Sequence, residues 1–294
     1  MRSTASNIFV AALACLALAS CDYQSSTRPE PWRPQYSSLE AAVRDSLGAY
    51  ELYLSDIGDS LSPTVGKLKN LKTLRIGNSH IRFLPEEFRQ LVSLETLILD
   101  KTDCADIPPQ IYSLTSLREF HFADHRPEDI PDGLAALDLE VLDFTHNYLN
   151  SIPEWLQKKN TLRSLDLERN GFSTFCVEEG AFPNLTELVL SQNILIAFHT
   201  APGAFAKLTT LFLGWNKLTA IPEAVDSIAV EWLDLQADPI RTIPRWLQQK
   251  RGLEILSFGQ NGLASFPSDT GTYKDLVALY IRTRLPDTDI SFSY

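Results

Sequence analysis

The chain has 294 residues, of which 44% are hydrophobic and 21% charged, and a formal net charge of −11. That composition is ordinary for a soluble folded body. The acidic surplus excludes nucleic acid as a partner, because phosphates demand clustered Lys and Arg.

At the front, Arg2 precedes an apolar run from Ile8 to Ala19 that closes on Leu18-Ala19-Ser20-Cys21. The run is too short to span a bilayer, which takes about 20 apolar residues. A charged start, a short apolar stretch and small residues before the cut read as a secretory signal over residues 1–20. The closing tetrapeptide resembles the lipobox of bacterial lipoproteins. That resemblance implies that the Cys21 thiol carries a diacylglycerol with palmitate-type chains, and that the mature chain sits on a membrane of the cell envelope. The alternative is a plain signal peptidase site with an incidental cysteine. Residues 21–37 hold Pro29, Pro31 and Pro34 and little that could form a core, so they read as an extended tether. Trp32 within it is a candidate for touching the lipid interface. Ser37 and Glu40 have the spacing of a capping box, and residues 38–48 read as a short helix covering the open apolar end of a repeat array.

From residue 49 to residue 284 one pattern dominates. LxxLxL begins at Leu71, Leu94, Leu117, Leu139, Leu162, Leu185, Leu208, Val230, Leu253 and Leu276, with a divergent first copy at Ala49. The steps are 22 or 23 residues, a period that marks a solenoid. Leu165 and Leu167 in LRSLDL alternate as in a strand with one buried face. In the copy before it Leu142, Phe144, Leu149, Ile152 and Leu156 are expected to point inward. Pro63, Pro85, Pro108, Pro131, Pro153, Pro222, Pro244 and Pro267 recur at one place and break the chain's regular continuation, so each return is irregular or briefly helical. Trp155 and Trp246 fall in these returns and are expected to pack on the convex side. Returns bulkier than strands curve the parallel sheet, leaving its free face concave. Residues 285–294 form a tail.

Asn147, Asn170, Asn193, Asn216 and Asn261 occupy one equivalent place, where the chain turns while still buried. An amide both donates and accepts, so a column of them can satisfy backbone groups that the turns leave unpaired. Together with LxxLxL and the IPxxL tail, these residues make the chain resemble the leucine-rich repeat family over residues 49–284. The resemblance implies an α/β fold, a right-handed solenoid of about 10–11 repeats that binds macromolecules, usually proteins, on its concave sheet. The segments Gly180–Asn184 and Gly203–Lys207 lack the proline and resemble the form common in extracellular members. Ser79, Thr102, His125 and Asp238 replace the asparagine in their copies. His125 is read as bonded to backbone, against a pH-sensing or metal-binding alternative, and Pro127 after it suggests a bulge. Cys104 and Cys176 lie three repeats apart, about 14 Å at a strand spacing of about 4.8 Å, too far for a disulfide. Both are expected to be buried and unpaired.

Function is sought at outward strand positions, because the inward ones are committed to the core. Phe212, Trp215 and Trp232 fall on neighbouring strands, with Tyr280 farther along the same face, and are expected to bind the partner. The alternative is that they pack on one another. A second group is acidic: Asp100, Glu119, Asp124, Asp143, Asp166 and Glu168, with Asp143 and Asp166 equivalent in adjacent copies. Opposed like charges destabilise a sheet, so a cationic surface or a metal is the expected answer to these acids, with Asp143, Asp166 and Glu168 expected to bind the partner. Neutralisation by Arg118, Arg163 and Arg169 is the alternative. An enzyme is the rival class: His121, Asp143 and His146 could form a zinc set for hydrolysis, but a smooth repeat sheet offers no enclosed pocket. No cofactor, metal or catalytic residue is assigned. The expectation is a monomeric lipid-anchored binding protein with a protein or peptide partner; a surface adhesin for host protein or glycan is the alternative, and a purely structural spacer a third reading.

Overall fold

The computed structural model describes residues 35–263, 275–276 and 278–280, so that Cys21, Trp32, Pro267 and the tail lie outside the described residues. Period-two patterning does what the sequence requires of it. Leu165 and Leu167 are fully buried, while Ser164 and Asp166 beside them keep partial exposure. Each copy supplies one short strand to a single sheet: β1 Gln35–Tyr36, β2 Glu51–Ser55, β3 Thr73–Ser79, β4 Thr96–Thr102, β5 Glu119–Ala123, β6 Val141–Asp143, β7 Ser164–Asp166, β9 Glu187–Val189, β11 Thr210–Phe212, β12 Trp232–Asp234, β13 Ile255–Ser257 and β14 Ala278–Tyr280. Their order in the sheet follows the chain, and neighbours pair in parallel. The inward leucines therefore stack in register, Leu97 on Phe120, Phe120 on Leu142, Leu142 on Leu165 and Leu165 on Leu188. Behind the sheet these side chains merge into one continuous apolar core.

The returns obey their prolines. Pro85, Pro108, Pro131, Pro153, Pro222 and Pro244 each cap a single helical turn with φ between −60 and −72. Proline suits that place, since its φ is already fixed and the N–H it lacks would have no helical acceptor. Trp155 and Trp246, in the turns Glu154–Gln157 and Arg245–Gln248, are partly buried against the core. Leu142, Phe144, Leu149 and Leu156 are buried and Ile152 packs partly against them.

Where the proline is missing the return becomes a strand instead. β8 Thr174–Val177 and β10 Ala197–Thr200 pair in parallel as a separate two-stranded sheet. Inside it Phe175 stacks on Phe198 at 5.9 Å, and Phe182 stacks on Phe205 at 5.4 Å. This second sheet corrects one expectation. Cys104 is buried, but Cys176 is exposed, because alternation along β8 turns Phe175 and Val177 inward and the thiol outward.

The front end is also extended beyond expectation. Gln35 and Tyr36, in the segment read as tether, add β1 to the outside of β2. The cap helix spans Leu39–Arg44, and its N-cap is Ser38 rather than Ser37: the Ala41 N–H donates to Ser38 Oγ at 3.2 Å. Leu39 and Ala42 enter the core and close its end.

At or just past the end of ten strands of the large sheet the chain turns through a left-handed residue. Asp56, Asn78, Lys101, Asp124, His146, Arg169, Gln192, Trp215, Ala237 and Gln260 all have φ between 48 and 64. A left-handed non-glycine residue costs roughly 1 kcal/mol or more. The asparagine one residue on offsets this cost. Asn193, buried, accepts from the Phe172 N–H at 3.1 Å and donates to the carbonyls of Leu167, Leu190 and Ser191 at 2.9, 3.0 and 3.2 Å. Asn147, Asn170, Asn216 and Asn261 likewise bond both an N–H and a carbonyl of the preceding copy. Where asparagine is replaced, the Ser79 hydroxyl accepts from the Ile57 N–H at 3.3 Å, and His125 Nε2 accepts from the Thr102 N–H at 3.3 Å.

Candidate functional site

Side chains on the free face of the sheet form a central row, read across the strands by register. His121 stands beside Asp143, Asp143 beside Asp166, Asp166 beside Val189, Val189 beside Phe212, and Phe212 beside Asp234. The row changes character part-way, from ionisable to apolar. At the apolar end Phe212 meets Trp232 edge-to-face, with ring centroids 4.8 Å apart and planes at 89°. Both rings keep partial exposure. Trp215 holds one of the left-handed turn positions, φ 60, and is 49% exposed. A bulky ring in that conformation is unusual and is held there by its N–H, which donates to the Gln236 carbonyl at 2.6 Å. Tyr280 lies on β14 two strands beyond Asp234, in register with Ser257.

The acidic end has a local cause that residue types alone do not disclose. Asp143 and Asp166 are in direct register, and each closes its own strand by accepting an N–H two residues on: Thr145 to Asp143 and Glu168 to Asp166, both at 2.8 Å. Asp234 accepts from the Gln236 N–H in the same way at 3.1 Å. The repulsion between Asp143 and Asp166 is then divided unequally. His121 Nδ1 lies 3.1 Å from Asp143 Oδ2, and this bond and charge hold the Asp143 carboxyl below its ordinary value although burial opposes it. Burial would lower the His121 imidazole, but the Asp143 hydrogen bond and the charges of Asp143, Asp100 and Glu119 carry it above its ordinary value. Among the described residues Asp166 has no such cation. Burial first, then the Asp143 charge, push its carboxyl well above the ordinary range. Burial and the Asp143 charge also raise Asp100, and burial raises Glu168 against the pull of Arg169.

Of the three arginines offered as the alternative means of neutralising this strip, one reaches it. Arg169 Nε lies 3.5 Å from Glu168 Oε1. Arg163 turns to Glu140 at 3.3 Å, and Arg118 donates to the carbonyls of Thr115 and Leu117. The zinc set does not converge either: His121 bonds Asp143, whereas His146 Nδ1 bonds Asp124 Oδ1 at 2.5 Å. Among the described residues no group of three His, Cys, Asp or Glu side chains is placed to hold a metal ion. His125 is buried and stacked on Phe122 at 3.8 Å, and burial lowers its imidazole to about 4. It is a neutral member of the ladder, bonded to backbone as expected.

Several exposed apolar residues fall outside the positions considered from sequence, among them three beside the ladder. Tyr148 is 60% exposed, Ile194 43% and Ile196 64%, all just past the ladder position, with Ile194 and Ile196 in the copy next to that of Trp215 and Tyr148 three copies before it. Equivalent places in other copies carry His80, Asp103, Arg126 and Lys217. That contrast of residue type at one repeat position is the signal that could have found Tyr148 and Ile194. Arg126 lies over the Tyr148 ring at 4.9 Å.

Residues 52–172 match the family model of a leucine-rich repeat region. Among curated proteins, the chain is 28% identical over 150 residues to a probable inactive serine/threonine-protein kinase, roco10, of Dictyostelium discoideum, a match covering 48% of this chain and 6% of that protein. It is also 28% identical over 145 residues to receptor like protein 28 of Arabidopsis thaliana, covering 47% of this chain and 18% of that one. The chain thus spans under a fifth of the length of the first curated relatives it matches. Among solved structures, an internalin of Listeria monocytogenes aligns over 86% of this chain and 78% of its own at TM-score 0.58 and 16% identity. A chain of the Toll–Spatzle complex from Drosophila aligns over 79% of this chain and 37% of its own, at TM-score 0.58 and 20% identity. These likenesses bear on the fold, and the fold is the leucine-rich-repeat solenoid with a parallel sheet on its concave side.

Proposed function

We propose that this leucine-rich-repeat solenoid is a non-catalytic binding protein of the bacterial envelope, lipid-anchored and monomeric, that takes a protein or peptide partner on its concave sheet. The observation that carries the reading is the half-exposed Trp215, three residues beyond Phe212 in the same copy, together with the partly open Phe212–Trp232 pair. Replacing Phe212, Trp215 and Trp232 together by alanine is expected to reduce capture of the partner from envelope extracts at least tenfold while shifting the thermal midpoint little. Full capture, or a collapse of stability, would defeat the reading. A glycan-binding adhesin is the weaker alternative. A sugar stacks on an open ring face, and the perpendicular meeting of Phe212 and Trp232 already uses one face of the pair. Binding to a glycan array that is lost in the triple variant would reverse this preference.

The anchor rests on Leu18-Ala19-Ser20-Cys21, which lies outside the described residues. One acyl chain binds a membrane only reversibly, whereas the two or three borne by a lipidated amino-terminal cysteine hold firmly. A Cys21→Ser chain is therefore expected to move from the membrane to the soluble fraction on cell fractionation. If it stays with the membrane, the lipid anchor is wrong.

A further inference from the structure

Resting on the concave-face reading, we propose that the partner presents an extended segment crossing the strands, with a lysine or arginine three residues from a large apolar side chain. Two members of the central row set this spacing. Asp166 on β7 and Phe212 on β11 are separated by β9, two strand steps in all. Two steps are about 10 Å, and three residues of an extended chain in the polyproline II form cover about 9 Å and return the side chain to the same face. The acids alone would define no ligand, because each caps its own turn. Their neighbourhood to an open aromatic face decides the matter. The apolar side chain meets Phe212 and Trp232, and a cation two strands away meets Asp166, beside Glu168, the one acid of this strip that a candidate arginine, Arg169, reaches. Arg163 is committed to Glu140, Arg118 to carbonyls, and His121 to Asp143, which leaves Asp166 without a cationic partner among these groups. The surface also belongs to a chain with net charge −11, which attracts a basic segment from a distance.

The test pans a random nine-residue phage-display library against the whole protein and two variants. One variant carries Phe212→Ala and Trp232→Ala. The other carries Asp166→Asn and Glu168→Gln, and its asparagine can still accept the N–H at position 168. The expected result is enrichment of peptides with Lys or Arg three positions from Phe, Trp, Leu or Ile. Their retention should fall at least tenfold on the aromatic variant and at least fivefold on the carboxamide variant. Peptides that need the aromatics but show no basic preference would overturn this inference and leave the concave-face reading standing. Peptides indifferent to both variants would overturn both. Failure to enrich any peptide would overturn the inference, with the concave-face reading then judged by its own triple variant.

Discussion

Asn193→Leu is expected to lower the stability of the solenoid by about 2–4 kcal/mol, the cost of leaving a buried backbone donor unpaired and losing three further bonds. The magnitude comes from what remains after the change. The carbonyls of Leu167, Leu190 and Ser191 lose the Asn193 amide, but each keeps another donor: Asn170 Nδ2, Asn216 Nδ2 and the Arg169 N–H respectively. The Phe172 N–H, which donates to Asn193 Oδ1 at 3.1 Å, has nothing to replace it. Leucine keeps the branched skeleton of asparagine but is bulkier, so overpacking adds to the loss and does not offset it. The urea midpoint of the full chain, parent against variant, measures the effect. Because a solenoid is stabilised repeat by repeat, the loss should also appear as earlier hydrogen exchange at Phe172 and Leu195 than at Leu97. A midpoint that barely moves would mean that water or a shifted turn satisfies the Phe172 N–H, and that the column is not structural.

Much of this is legible in the sequence because it repeats. The alternation in LRSLDL, the proline of each return and the asparagine column fix strand, turn and ladder in any one copy, and the period copies them along the chain. What the pattern hides is non-periodic or one step removed from it. Cys176 reads as a core residue only if its return resembles the others, yet the missing proline allows β8, whose alternation turns the thiol out. Gln35 and Tyr36 carry no leucine signature, and only a neighbour with a free edge makes them a strand. The rim formed by Tyr148, Ile194 and Ile196 lies just past the asparagine, outside the strand positions where recognition is sought.

The acidic strip shows a different limit. Residue type and register are readable at Asp143 and Asp166, and so is their mutual repulsion. The reason they tolerate each other is not, since it depends on which side-chain oxygen each turn uses and on where the arginines point. Both carboxylates are held by N–H groups two residues ahead, and a histidine from β5 stabilises one of them. Charge counting along a sequence predicts a field. It does not predict how protons are shared within that field.

Asp238→Asn is expected to stabilise the chain at pH 8 by up to about 4 kcal/mol and to flatten its stability profile between pH 4 and pH 8. Asp238 stands in the asparagine column and is 2% exposed. Its Oδ1 does the column's work, accepting the Leu218 N–H at 2.8 Å. Its Oδ2 is buried without a partner, in the role where Asn216 Nδ2 donates to the carbonyls of Leu190, Leu213 and Gly214. A carboxylate oxygen cannot donate there, whereas a protonated one can. Burial, helped by the charge of Asp234, accordingly raises this carboxyl from 3.8 to about 7, against the lowering effect of its backbone hydrogen bonds. The sign of the pH effect is set by that shift. The folded chain keeps the proton up to about pH 7, while the unfolded chain releases it above pH 3.8. The contribution is therefore complete below pH 3.8 and is lost progressively as the pH rises to about 7, after which nothing further is lost. An asparagine supplies the missing donor at every pH. Comparing parent and variant by urea denaturation across the range cancels the titrations of Asp100 and Asp166, which are common to both. Parallel profiles would show that Asp238 is ionised in the folded chain, with its second oxygen satisfied by water. Asn193→Asp provides the reciprocal check: it keeps the acceptor for the Phe172 N–H, so it should match the parent near pH 4 and fall below it as the pH rises.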